Sequence, residues 1–321
     1  MIGCGAVTER KSAPAYSQVA GFDLVAVASR RASAARNYAL QHGLPLAFDH
    51  GSELIHSPEV DAVYIATPPS SHFDLAIQTA RAGKPCCVEK PLAMTHAEAT
   101  QLVCAFKAAR QPLFVSYYRR SLPRFKRVQQ WLEQGAIGRV RHIHWSLARQ
   151  PTGGDLAGDL GWRTDRKEAP GGYFEDLGCH GLNLFDFLLG PIVDASGVSQ
   201  NQQGFYEVPD AVAASWRHAG GMIGSGFWNF ASAKRADEVQ IIGSEGMIRF
   251  SVFDEVPLVL ETPSTNEVLN IENPDPIQLN HVKNMMLHLS GGECHPSLGE
   301  SAARTDWVLD QVLGPVRTQR H

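Results

Sequence analysis

Four short apolar runs, DLVAVAS (23–29), AVYIAT (62–67), CCVE (86–89) and LFVS (113–116), punctuate the first 118 residues, with longer helix-period stretches between them. None of the runs alternates apolar with polar positions. Each therefore predicts a strand covered on both faces, as in a parallel sheet packed between helices. The intervening ASAARNYALQHG, SSHFDLAIQTARAG and THAEATQLVCAFKAAR predict the crossover helices of βαβ units. Gly43 and Gly83 follow the first two as C-terminal caps, and Thr95 with Glu98 opens the third as a capping box.

From residue 119 the rhythm changes. LPRFKRVQQWLEQG predicts a helix and VRHIHWSLA a strand, followed by a Gly-rich irregular stretch and another helix. AVAASWR, MIGSGFWNF, EVQIIG and GMIRF then alternate, with Gly or Pro between them, which predicts a mostly antiparallel sheet. Two helices, about 277–289 and 300–313, close the chain. The expected organisation is a dinucleotide-binding α/β domain over residues 1–118 and an α+β domain over 119–321.

Composition sharpens this picture only in places. The 321 residues suffice for two domains, and 44% hydrophobic with 19% charged residues describes a compact globular protein. With 29 Lys plus Arg against 33 Asp plus Glu, the net charge of -4 supplies no basic field for a nucleic acid or an anionic membrane. The six cysteines show no CxxC spacing and no apolar leader precedes the first glycines, so a reduced, cytoplasmic setting is expected.

Chemistry concentrates where strands end. Gly3 and Gly5 are spaced as the first two glycines of a dinucleotide fingerprint, with Thr8 where the third would fall; the backbone from Gly3 through Ala6 and Val7 would face a pyrophosphate. This places a Rossmann, doubly wound sheet at the N-terminus. After the next strand stand Ser29, Arg30 and Arg31 instead of an acidic residue. Guanidinium groups there favour a 2′-phosphate, so NADP is expected over NAD, the alternative being two solvated arginines. Thr67, Pro68 and His72 lie in the loop ATPPSSH at another strand end, with Ser70 or Ser71 expected to cap the following helix.

Glu89 and Lys90 end the CCVE strand and are stopped by Pro91. They point to opposite sides, so each needs its own partner. A shielded lysine there is suited to proton exchange, whereas the bland alternative is a surface lysine before a turn. In APGGYFEDLGCHGLN, Asp176, His180 and Asn183 share one helical face. A carboxylate one turn from an imidazole can orient it and stabilise its charged form; a surface contact or half a metal site would use the same spacing. Cys179 and Cys294, beside His180 and His295, lack ligand spacing, so no metal is expected. Tyr118, Arg119, Trp162 and Arg163 are candidates to line a substrate site, or to pack as aromatic–Arg pairs.

Taken together, Gly3-Cys4-Gly5, AVYIATPPSSH, AGKPCCVEKPLA, SYYRRSLPRF and GGYFEDLGCHGLN resemble the Gfo/Idh/MocA family of nicotinamide-dependent oxidoreductases over nearly the whole chain. The resemblance implies an N-terminal Rossmann domain and a C-terminal domain whose large open sheet commonly mediates a homo-oligomer, a dimer or tetramer. It implies hydride transfer between the nicotinamide and a CH-OH or C=O carbon of a sugar, cyclitol or similar small molecule. Lys90 would lie near nicotinamide and substrate, Glu89 would organise the cofactor end, and a cis bond would precede Pro91. Asp176 and His180 would complete the site, with the proton carried by His180 or by Lys90. Many members carry Asp where this chain has Asn183, which removes a charged contact. The competing reading is a dinucleotide-binding sensor without turnover. Only Met1 and Ile2 precede Gly3, fewer than a central strand needs, so a start several residues upstream is expected.

Overall fold

The computed structural model describes residues 1–318. After a π-helical turn, Thr8–Ser12, the chain runs through α1 (Ala13–Gln18), β1 (Ala26–Ala28), α2 (Ala32–His42), β2 (Leu46–Phe48) and α3 (Gly51–His56). It continues with β3 (Val63–Ile65), α4 (His72–Arg81), β4 (Cys86–Val88), α5 (His96–Ala109), β5 (Leu113–Val115), α6 (Pro123–Glu133), β6 (Val140–Ala148) and α7 (Gly153–Ala157). Next come α8 (Cys179–Leu189), β7 (Ile192–Gln200), β8 (Ala211–His218), β9 (Ile223–Asn229), β10 (Ala236–Gly243), β11 (Met247–Phe250), β12 (Leu258–Glu261) and β13 (Asn266–Leu269). Three helices end it: α9 (Leu279–Leu289), α10 (Gly299–Leu313) and α11 (Pro315–Thr318). Residues 1–122 with 274–303 form one compact unit, and 123–273 with those from Arg304 onward form a second. No helix among the described residues is long and apolar enough to cross a membrane.

In the first unit β1 pairs in parallel with β2, and β3, β4 and β5 form a parallel trio. Ile2 joins the two sets by bridging Ala28 on one side and Ile65 on the other. Its neighbourhood holds four backbone hydrogen bonds: Ile2 to Tyr64 (2.7 Å), Ala66 to Ile2 (2.8 Å), Gly3 to Ala28 (2.9 Å) and Ala28 to Met1 (2.9 Å). Beside Met1 lies a cavity of about 490 Å³ lined by Leu24, Val25, Val63, Tyr64 and Met285 among others. Every residue of β1, β3, β4 and β5 is buried, which is why their sequences show no polar alternation. β2 is only partly buried, and LAF is too short to stand out as a periodic run.

The expected caps are present with two differences. Gly43 closes α2 in the left-handed region, and Thr95 accepts from the Glu98 amide. Glu98 in turn accepts from Met94, one residue before the position a capping box uses. Ser71 does not cap α4: its hydroxyl donates to Thr67 Oγ1 at 2.8 Å and is 3.0 Å from the Pro68 carbonyl. Tying the rigid Pro-Pro loop back on itself takes precedence over the helix end.

The second unit is built on an eight-stranded sheet in the order β13-β12-β11-β10-β6-β9-β8-β7. All pairs are antiparallel except β6 with β9. Helix α8 reaches the sheet at Gly181, where a side chain would run into the Trp145 ring. That ring meets Phe185 at 5.6 Å and Trp228 at 5.3 Å, and Phe174 meets Trp228 at 4.8 Å. Each such buried ring contributes about 1.5–3 kcal/mol by leaving water, so this slab sets where the start of α8 lies.

A wholly buried ionic group ties the end of the chain to the turn before α8. Arg317 donates to Glu175 (3.0 Å) and Asp306 (3.0 Å) and also pairs with Asp310. One guanidinium thus faces three carboxylates. Burial raises the Asp306 pKa to about 8 from 3.8, with Asp310 and Glu175 adding to the rise and Arg317 opposing it. The sign follows. The native state holds this proton more tightly than the unfolded chain, so the stability it contributes is full below about pH 4 and is lost as pH rises through about 8. Asp306→Asn, a mimic of the protonated acid, should flatten the decline of melting temperature between pH 5 and 9. Parallel curves for the two proteins in thermal unfolding would show that Asp306 is already ionised.

Candidate functional site

In the first unit the predicted residues cluster at the carboxyl ends of the parallel strands. Gly3 has φ +101°, and a Cβ there would stand 2.5 Å from the Ala66 carbonyl oxygen, so only glycine lets this turn lie against the end of β3. Gly5 differs. Nothing lies within 4 Å of where its Cβ would be, and bare backbone faces open space ahead of the helical residues 6–18. Thr8 is buried, and its hydroxyl donates to the Gly5 carbonyl at 2.6 Å, at the position where a third glycine would serve close helix–strand packing. Arg30 and Arg31 are exposed just after β1, and the Arg31 amide donates to Ser29 Oγ.

His72 is fully buried, its ring nitrogens each 2.9 Å from a carbonyl, of Thr67 and of Pro91. Burial lowers its pKa, opposed by those carbonyls. The ring is a brace between two loops. It holds the Thr67 turn to the turn after Lys90, whose bond to Pro91 is cis.

Glu89 and Lys90 follow directly after β4. Glu89 is buried and accepts from the Tyr64 hydroxyl at 2.7 Å and from Gln278 at 3.2 Å, while its other oxygen accepts from the Lys90 amide at 3.3 Å. Tyr64 is pushed well above the ordinary phenol range, first by burial and then by Glu89, so it stays a donor. Lys90 is half-buried. Its charge reaches Tyr118: burial raises that phenol's pKa, but Arg119, Lys11 and Lys90 together bring it below the ordinary value. Arg119 and Lys11 lie 5.0 and 5.9 Å from the Tyr118 ring centre. Lys11, Tyr64 and Gln278 carry no motif that marks them in the sequence; they are found only because the fold delivers them.

In the second unit Gly171 and Gly172 make a turn that leads into a π-helical segment, Phe174–Gly178, and then α8. Gly172 has φ +61°, and a Cβ there would press on Val208 and the Pro209 carbonyl. Asp176 lies in the π-helical segment and His180 in the first turn of α8, both nearly buried. Arg163 Nε donates to Asp176 Oδ2 at 2.7 Å, and its guanidinium stacks 4.4 Å over Trp162. The His180 ring meets Phe253 edge-on at 5.8 Å. Asn183 is buried and donates to Thr305 at 2.9 Å. Asp176 and Arg163 are therefore brought together, a pairing that the sequence alone did not indicate. Among the described residues no group of three metal-ligating side chains occurs.

Residues 1–117 match the oxidoreductase family with an NAD-binding Rossmann fold, and 125–249 match the GFO/IDH/MocA C-terminal domain. An oxidoreductase of Formosa agariphila is 30% identical over 317 residues, covering 98% of this chain and 97% of that protein. The chain belongs to the Gfo/Idh/MocA family. A 1,5-anhydro-D-fructose reductase of Ensifer adhaerens is 29% identical over 71% of this chain and 68% of its own. Among solved structures, a levoglucosan dehydrogenase in complex with NADH and levoglucosan superposes with a TM-score of 0.85 at 23% identity, covering 97% and 94% of the two chains. A 3-ketoreductase of Actinomadura kijaniata with NADP gives 0.81 at 21%, covering 98% and 95%.

As a Gfo/Idh/MocA member, the protein is a dehydrogenase or reductase of CH-OH groups that uses a nicotinamide dinucleotide. The first unit fits that cofactor. The uncovered backbone at Gly5 and the polar strand ends are where such a group would lie. The two glycines should separate experimentally. Gly3→Ala should cost about 1–3 kcal/mol of stability through its backbone strain and clash, whereas Gly5→Ala should keep the melting temperature and weaken dinucleotide binding about tenfold or more. Thermal unfolding with calorimetric titration checks both, and equal effects of the two substitutions on stability would refute the distinction.

Proposed function

We propose that the protein is an NADP(H)-dependent oxidoreductase acting on a CH-OH or C=O carbon of a sugar, cyclitol or similar small molecule, with His180 as the general acid–base, Asp176 as its orienter and Lys90 polarising the reacting oxygen. The nicotinamide, when bound, supplies or accepts the hydride. The observation that carries this reading is the Arg163–Asp176 pair, which fixes a nearly buried carboxylate four residues before His180. A carboxylate so held can stabilise a charged imidazole nearby, and the edge of Phe253 limits how the ring turns. Lys90 follows Glu89, whose carboxylate accepts from its amide, and its charge is felt by the Tyr118 phenol.

Sugar-like substrates are supported by the named activities of two relatives, levoglucosan dehydrogenase and 1,5-anhydro-D-fructose reductase. The choice of NADP rests on Arg30 and Arg31, exposed at the end of β1 where a 2′-phosphate would meet them.

Two measurements test the assignment. Lys90→Ala and His180→Ala should each reduce kcat by about 10²–10⁴ on a panel of polyols and ketoses while leaving dinucleotide binding intact; unchanged turnover in either removes that residue's role. Replacing Arg30 and Arg31 together by Ala should erode the preference for NADP over NAD by about ten- to a hundredfold, the worth of charge-assisted bonds. A ratio of dissociation constants equal to the parent's would instead leave the two arginines as solvated surface groups.

A further inference from the structure

Asp176 follows a second carboxylate that has a different surrounding. Glu175 is 1% exposed; its Oε2 accepts from the Gly171 amide at 2.8 Å and its Oε1 from Arg317 Nε at 3.0 Å. Arg317 is fully buried, and it also bonds the Asp306 carbonyl and carboxylate and Asp310. Leu313, from the same end of the chain, fills the space beside Gly171 that a side chain would need. The turn that launches Asp176 and His180 is thus closed internally by Glu175 and held externally by Arg317.

We propose that Arg317, acting through Glu175, is a positioning residue for the acid–base helix, holding the Gly171–Gly178 turn in the π-helical form that places Asp176 and His180. This rests on the reading of those two residues given above. Two physical arguments support it. A π-helical turn is rare and is found mostly as a single turn, frequently at functional sites, so one here calls for a local restraint. A buried guanidinium facing three acids is a poor stabiliser, since a packed apolar cluster of the same volume does as well or better. What the ionic group offers, and an apolar one does not, is a directional tie to one carboxylate oxygen adjacent in sequence to Asp176.

The test compares Glu175→Gln, Arg317→Lys and His180→Ala with Leu260→Ala, a core-shortening change on strand β12, all in the full chain. Gln at 175 can still accept from Gly171 but opposes an amide to Arg317. Hydrogen exchange over residues 171–180 is read alongside kcat and KM for the best substrate of the polyol and ketose panel, well below each melting temperature. The expected result is faster exchange in that segment for Glu175→Gln and Arg317→Lys, with kcat lowered about ten- to a hundredfold and KM little changed. Leu260→Ala should lose stability without either effect. Unchanged exchange over 171–180 in both variants, or faster exchange with kcat intact, overturns the proposal. Full turnover in His180→Ala would instead overturn the acid–base assignment, with the exchange result still reporting on the tie.

Discussion

The first unit depends on the pairing of one residue. Ile2 is bonded through its backbone to the β3 side, and the Met1 and Gly3 groups beside it are bonded to Ala28. Backbone groups buried in a sheet must be paired, and these four bonds pair the β1 edge with the β3 edge through a single residue. The consequence is geometric. The glycine turn, the arginines after β1 and the Thr67 loop after β3 emerge side by side because they follow strands locked to the same residue. The absence of a side chain at Gly3 lets the turn approach Ala66 closely, and His72 passes the constraint on to Pro91 and hence to Lys90. From Gly3 to Lys90 the chain of contacts runs through backbone carbonyls, which leave little freedom in direction.

The second unit solves a different problem. Its acid and imidazole lie on a helix, whose position against a sheet is set by side-chain volume and not by a hydrogen-bond ladder. Gly181 allows close approach to Trp145, and the ring slab of Trp145, Phe174, Phe185 and Trp228 fills the layer between helix and sheet. Interiors packed at crystal-like density tolerate little displacement. The helix is thereby fixed from Gly181 to Phe185, and the turn before it is held both by Phe174 in the same slab and by the buried Glu175–Arg317 contact.

How much of this was legible in the sequence follows from the range of each interaction. β1, β3, β4 and β5, buried on both faces, announce themselves as unbroken apolar runs, and Gly43 and Thr95 mark helix ends through local geometry. Asp176 and His180 stood out in the sequence as a pair four residues apart, and the structure places them in the π-helical segment and the first turn of α8. Ser71 was misread because the hydroxyl had two local partners to choose from, the helix amides and the Thr67 loop, and composition does not rank them. Tyr64 and Gln278, which meet Glu89 from 25 and 189 residues away, leave no local trace. The same holds for Arg317 and for the parallel pairing of β6 with β9 inside an antiparallel sheet. Pattern reports what a residue needs within a few positions; partners delivered by topology are invisible to it.

The two neighbouring acids, Glu175 and Asp176, show how one turn can hold a fixed and an exchangeable charge together. Glu175 is bound by a guanidinium with no exposed surface, so no solvent competes for the contact. Asp176 is bound by Arg163, whose side chain is 40% exposed and rests on Trp162. A half-exposed partner contributes little net stability, because water can replace it at small cost. That weakness suits the role proposed for Asp176. Arg163 can keep the carboxylate aimed while part of its own surface stays in water. Were both acids held as Glu175 is, the carboxylate would be oriented but unavailable; were both held as Asp176 is, the turn would lose its anchor. Adjacent positions in a helical turn point in different directions, and this chain uses that divergence to tie Glu175 to the fully buried Arg317 and Asp176 to the half-exposed Arg163.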